Sequence, residues 1–197
     1  MMRNLYSIPI AILLLFVACE KDRPQVRVLD GDTFIMDNGE TVRLIGIDTP
    51  ETGDEFASES TELLRQLLQI DDITFEYDQQ KYDKYGRTLA YVYVDTYFVN
   101  KTLLDSGLAC AYFHRPNLAR FDELVQAQKQ ARASNINIWS APVKSPCEYY
   151  LATKSSFRFH RPSCHSIKNR NISSLRKFAN RDDALDIGLS PCRNCKP

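Results

Sequence analysis

Thr33-Phe34-Ile35-Met36-Asp37-Asn38-Gly39-Glu40-Thr41-Val42-Arg43-Leu44-Ile45-Gly46-Ile47 decides the fold class of this 197-residue chain. β-forming residues flank Asp37-Asn38-Gly39, a tight-turn signal, so 33–36 and 41–47 read as the two arms of a hairpin. Outward from it, 25–29, 73–77, 89–94 and 109–113 read as further strands. Leu63, Leu64, Leu67 and Leu68 share one helical face after a polar start near Asp54. A short helix is expected over 99–106, stopped by Gly107. A long amphipathic one covers 118–133, its register marked by Leu118, Phe121, Leu124, Val125 and Gln128. Trp139 reads as a core-closing residue. The pattern is mainly β with packed helices, α+β.

Chemistry-bearing residues crowd both ends of the hairpin. Leu29-Asp30-Gly31-Asp32-Thr33 leads into it, Asp48-Thr49-Pro50-Glu51 follows it, and Asp83-Lys84-Tyr85-Gly86-Arg87 occupies a later turn. Hard cations take oxygen ligands, and two carboxylates on separate strands plus a backbone carbonyl make half a shell that water can complete. Asp32 and Asp48 are that pair. Arg43 and Arg87 offer planar forks of donors that suit phosphate oxygens and growing negative charge. Glu51, one short step past the metal ligands, can accept or orient a proton of water. Alone, each motif is an ordinary turn, helix entry or hairpin. Their joint occurrence in one chain carries the functional reading.

From about residue 26 to 141 these motifs resemble the thermonuclease family, the staphylococcal-nuclease-like secreted enzymes. The resemblance implies a five-stranded OB-type barrel, a fold suited to oligonucleotides. It implies Ca²⁺ at Asp32, Asp48 and the carbonyl of Thr49, with Arg43, Glu51 and Arg87 as the catalytic trio. Lys84 and Tyr85 match positions that hold a terminal phosphate, and Tyr112 an aromatic position near the base. The implied reaction cleaves the bond to the 5′ oxygen of DNA or RNA and leaves 3′-phosphate ends. The chain departs from the family's type member twice: His114 replaces a second tyrosine, and Gly53-Asp54-Glu55 replaces a longer lysine-bearing loop. The rival reading is a catalytically silent OB-fold nucleic-acid-binding lipoprotein. A further rival makes the basic tail an attachment device with the barrel as spacer. The full set Asp32, Arg43, Asp48, Glu51 and Arg87 favours the enzyme.

Arg3, an apolar run over 8–18 and Phe16-Val17-Ala18-Cys19 form a segment too short for a bilayer core of ~30 Å. It reads as a signal peptide, 1–18, and resembles a bacterial lipoprotein signal in which Cys19 is lipidated and 19–24 is a polar tether. The expected product is exported and membrane-anchored, on the periplasmic face or the cell surface, and monomeric by default.

Hydrophobic residues make up 44% of the chain, enough for a soluble core. Formal neutrality hides an asymmetry: residues 19–147 carry 14 Lys+Arg against 21 Asp+Glu, and residues 148–197 carry 10 against 4. A basic tail can hold nucleic-acid phosphates or be a solvated surface. The nuclease-like domain is expected over 25–141, a Pro-bearing linker over 142–152 and a small module over 153–197. In that module His160-x3-Cys164 and Cys192-x2-Cys195 have the spacing of a four-ligand site for structural Zn²⁺. A disulfide among Cys164, Cys192 and Cys195 is the competing reading outside the cytosol. The region resembles zinc-binding modules related to the N-terminal domain of the Ada alkylation-repair protein, with His160 where that domain has a cysteine. A helix is expected over 181–187, ending at Gly188. Cys110 reads as a buried small hydrophobe.

Overall fold

The computed structural model of the chain describes residues 25–143 and 146–197. The expected signal segment, Cys19 and the tether to residue 24 lie outside the described residues, as do positions 144 and 145 of the linker. Among the described residues no helix is long and apolar enough to cross a membrane.

Strands β1 (Arg27–Asp30), β2 (Thr33–Ile35) and β3 (Thr41–Leu44) form an antiparallel meander, and Ile35 faces Thr41 across the expected turn. Gly39 takes φ +84° there, a conformation open to glycine. The strand expected over 41–47 is broken at Ile45, and β4 (Gly46–Asp48) leaves the main sheet. The cause is Gly46. Its φ is +79°, and a Cβ at that position would collide with Leu124. The bend moves the chain out of one sheet into another and carries Asp48 to the site.

After α1 (Ala57–Leu67), strands β5 (Ile73–Glu76), β6 (Thr88–Val94) and β7 (Tyr97–Phe98) complete the large sheet, in the order β1-β2-β3-β6-β5 with β7 on β6. The β3–β6 pairing is parallel. After α2 (Val99–Asp105), β8 (Cys110–Tyr112) pairs with β4 in a separate ladder, and α3 (Phe121–Ala133) packs behind it. Asn100, fully buried on α2, accepts from the Val92 N–H (2.9 Å) and donates to the Ile45 carbonyl (2.8 Å). It thereby satisfies backbone groups freed where the strand breaks. Phe34, Val42, Leu44, Val92, Leu104 and Leu124 are fully buried in the core. The result is a mixed α+β domain, mostly strands, consistent with an OB-like barrel. Helix α3 starts three residues later than its apolar periodicity suggests, where the Ala119 and Arg120 N–H groups donate to Asp78 Oδ2 (2.7 Å) and the Tyr91 hydroxyl (3.2 Å).

The C-terminal segment forms a second sheet of β9 (Tyr150–Thr153), β10 (Arg158–His160), β11 (Leu175–Phe178) and β12 (Ser190–Pro191), in the order β11-β9-β10-β12, with α4 (Arg181–Asp186) beside it. Strand β9 begins inside the expected linker, so that linker is shorter than 142–152. The module is packed against the barrel. Phe157 meets Phe113 at 5.9 Å and Phe121 at 6.1 Å between ring centres. Arg132 pairs with Asp182 and, at 2.6 Å, with Asp186. Trp139 packs against the module's core cluster, closing the seam rather than the barrel core.

Candidate active site

The Asp30-Gly31-Asp32 turn is tied by its own side chains: Asp30 Oδ1 accepts the Asp32 N–H at 3.0 Å. Asp32 is buried, and its Oδ2 accepts from the Thr49 N–H (3.0 Å) and hydroxyl (3.2 Å). Gly31 allows this closure, since a Cβ there would lie 2.8 Å from the Thr49 hydroxyl oxygen. Arg43 projects from β3 so that one guanidinium nitrogen bridges Asp32 (2.9 Å) and Asp48 (3.3 Å). The same group donates to the carbonyls of Leu44 and Ile47. Burial pushes the Asp32 carboxyl up, and Arg43 opposes that without cancelling it. Two buried carboxylates that converge on one cationic atom form an oxygen donor set that fits a hard divalent cation.

Across the cleft, Asp83 organises the turn that presents Arg87. It accepts from the backbone N–H groups of Tyr85 (2.8 Å) and Arg87 (3.0 Å) and from Arg87 Nε (2.7 Å). Burial alone would raise the Asp83 carboxyl, but these hydrogen bonds hold it below its ordinary value. Lys84 Nζ lies 4.9 Å from the centre of the Tyr85 ring, and Tyr85 is 72% exposed. Arg43, Asp32, Asp48, Thr49, Glu51, Lys84, Tyr85, Arg87 and Tyr112 all line one cleft of about 650 Å³. Every residue read from the barrel sequence as a site residue is on that wall.

Two residues that sequence reasoning passed over are there too. Arg158 of β10 donates to Asp48 Oδ2 (3.0 Å) and lies 3.9 Å over the ring of Tyr112. Its other nitrogen donates to the Pro191 carbonyl (2.8 Å) and the Ser190 hydroxyl (3.2 Å). Burial would weaken its charge, but Asp48 and Tyr112 keep it protonated. Arg193 pairs with both Asp48 and Glu51. The basic excess of the tail was the available signal, together with arginines set beside the ligand positions His160 and Cys192.

Residues 41–141, from β3 to just beyond Trp139, match the family described as staphylococcal nuclease homologue. The chain belongs to that family. It is 40% identical to the thermonuclease of Staphylococcus hyicus over 132 residues, covering 62% of this chain and 78% of the relative. It is 41% identical to the thermonuclease of Staphylococcus intermedius over 122 residues, 57% and 73% of the two chains. It is 37% identical to the endonuclease YncB of Bacillus subtilis over 125 residues, 58% and 59%. This member of the family is accordingly an enzyme, a nuclease-class hydrolase.

The nuclease carries its second constellation beyond the matched span. The ligand atoms of His160, Cys164, Cys192 and Cys195 all lie within 4.8 Å of one another, and His160 Nδ1 is 3.4 Å from Cys164 Sγ. Tetrahedral zinc with ordinary bond lengths sets such pairs about 3.6 Å apart. Burial, with Arg158 nearby, lowers the His160 pKa and favours the neutral imidazole that a metal needs. The thiol and imidazole donors fit zinc. The five cysteines among the described residues, including Cys110, are all unpaired, and burial pushes the Cys110 thiol up to about 12, which leaves it inert.

Proposed function

We propose that this nuclease is an exported, calcium-dependent endonuclease that hydrolyses DNA or RNA to 3′-phosphate products. The observation that carries the reading is the convergence on one cleft of two buried carboxylates bridged by Arg43 with Arg87 and the accessible Glu51. Asp32, Asp48 and the carbonyl of Thr49 would hold Ca²⁺, which supplies charge to polarise the phosphodiester. Arg43 and Arg87 neutralise the negative charge that grows on the phosphoryl oxygens. Glu51 accepts or orients the proton of the attacking water. Lys84 and Tyr85 take the terminal phosphate, and Tyr112 lies toward the base. Rupture of the bond to the 5′ oxygen leaves the phosphate on the 3′ end.

The rest of the chain completes the proposal. Residues 25–141 form the OB-type nuclease domain, and the module after the linker is an Ada-like zinc-binding unit. His160, Cys164, Cys192 and Cys195 would hold structural Zn²⁺ with no open position, so the module does no chemistry of its own. The sequence of residues 1–24 supports export and a lipid anchor at Cys19, on the periplasmic face or the cell surface, and the protein acts as a monomer.

The test is digestion of single-stranded DNA, double-stranded DNA and RNA by the purified chain, with calcium or with a calcium chelator. Cleavage that requires calcium supports the reading. A folded protein that binds DNA yet cuts none of the three at any calcium concentration returns the silent OB-fold binder.

A further inference from the structure

The charge of the cleft does not balance on the barrel's own residues. Asp30, Asp32, Asp48, Glu51 and Asp83 line it, opposed from the barrel by Arg43, Lys84 and Arg87. Without a bound cation, five carboxylates against three cations repel a polyanion, and the excess of acid across residues 19–147 has the same sign. The remaining cations on the wall, Arg158 and Arg193, come from the C-terminal module and bring the count to five against five.

Building on the nuclease reading of this cleft, we propose that the module is a working part of the active site, with Arg158 and Arg193 gripping phosphates of the nucleic-acid strand beside the scissile bond. Arg158 is the fixed element. Its guanidinium is clamped by Asp48, Ser190 and the Pro191 carbonyl and packed on Tyr112, and its side chain is 20% exposed. It therefore needs little further ordering when a phosphate arrives. Arg193 is the exchanging element. Its side chain is 45% exposed and pairs with Glu51 and Asp48. A phosphate that draws Arg193 away leaves Glu51 open to water. The metal-type cluster anchors both: Arg193 lies between Cys192 and Cys195, and Arg158 stands two residues before His160, bonded to the carbonyl that precedes Cys192.

The arginines sit on the carboxylates of Asp48 and Glu51 but leave the cleft itself open. About 650 Å³ stays open, well within the range of small-ligand sites. An autoinhibitory strap would fill that space.

The experiment measures the affinity of the full chain for a fluorescent single-stranded DNA oligonucleotide across a range of salt, with a chelator present so that nothing is cut. Arg193→Gln and Arg158→Gln are compared with wild type and with Lys168→Gln, an equal loss of charge at an exposed module position outside the cleft. Each cleft variant is expected to bind about tenfold more weakly. Each should also shallow the slope of log affinity against log salt by about 0.7, the value for one phosphate contact on a single strand. Lys168→Gln should match wild type. Arg193 is exposed and its loss leaves Asp48 paired with Arg43 and Arg158, so its variant should unfold close to the wild-type temperature and keep the test valid if Arg158→Gln misfolds. Unchanged binding in a folded Arg193→Gln, or tighter binding with faster cleavage once calcium replaces the chelator, overturns the proposal, the latter in favour of autoinhibition. Weaker binding by the variants of a wild type that still cuts nothing when calcium replaces the chelator keeps the grip and rejects the nuclease reading, so the two failures are distinguishable.

Discussion

Asp48 and Arg158 meet at 3.0 Å across 110 positions of sequence, joining the acidic wall of the cleft to the C-terminal module. Asp48 is 8% exposed and also receives Arg43 and Arg193. Removing one partner of a buried ionic cluster leaves uncompensated charge. Asp48→Ala is therefore expected to lose about 3 kcal/mol of stability along with cleavage, as read by denaturant unfolding and a nuclease assay. Unfolding at the wild-type midpoint would show that the cluster is not buried as described.

Calcium should stabilise the fold, because the burial that pushes the Asp32 carboxyl up is relieved by a cation between Asp32 and Asp48. At a hundredfold excess over its dissociation constant a ligand of the native state adds about 2.7 kcal/mol. A scan of melting temperature against calcium should rise for wild type and stay flat for Asp32→Asn.

Gly46→Ala should cost about 3 kcal/mol, from overpacking against Leu124 and from a positive φ that alanine tolerates poorly. Because the same bend aims Asp48, activity should fall at temperatures where the variant is still folded. Stability loss with full activity would separate the bend from the site.

Glu76 gives a pH prediction. Hydrogen bonds from Arg120 hold its carboxyl below the ordinary value. A carboxylate lowered on folding stabilises the native state above its unfolded pKa and loses that contribution as pH falls through the folded one. Both partners are more than a third exposed, so solvent screening limits the effect to about 0.5 kcal/mol. Glu76→Gln should be less stable than wild type at pH 7, and the difference should close as pH falls through the lowered pKa of the folded Glu76 carboxyl.

The hairpin around Gly39 and the residues on its flanks were legible because local turn chemistry and strand alternation act within a few positions. The break at Gly46 was not, since the Leu124 side chain packed against that glycine lies far along the chain. The start of α3 coincides with backbone bonds to Asp78 and Tyr91, distant in sequence, rather than with helix periodicity. Strand β9 was hidden in the Pro-bearing stretch read as linker, and its pairing comes from β10 and β11, later in the chain. Asp32, Arg43, Asp48, Glu51 and Arg87, which line one cleft, could be singled out because their motifs occur together in one chain. Arg158 and Arg193 could not, because an arginine in a basic tail looks the same whether it faces solvent or a cleft.

Loss of the module's metal should act on grip rather than on chemistry. Metal analysis is expected to return about one zinc per chain, and Cys192→Ser should lose it. That variant should bind single-stranded DNA more weakly and still cut a short oligonucleotide at saturating concentration.

The most direct test of the central claim is single-turnover cleavage of an end-labelled oligonucleotide in calcium, wild type against Arg87→Ala, with the product ends identified. A loss of about 10²- to 10³-fold in the chemical step, with 3′-phosphate ends from the wild type, is the expected result. Cleavage by Arg87→Ala at the wild-type rate, or 5′-phosphate ends, would contradict the assignment of the cleft.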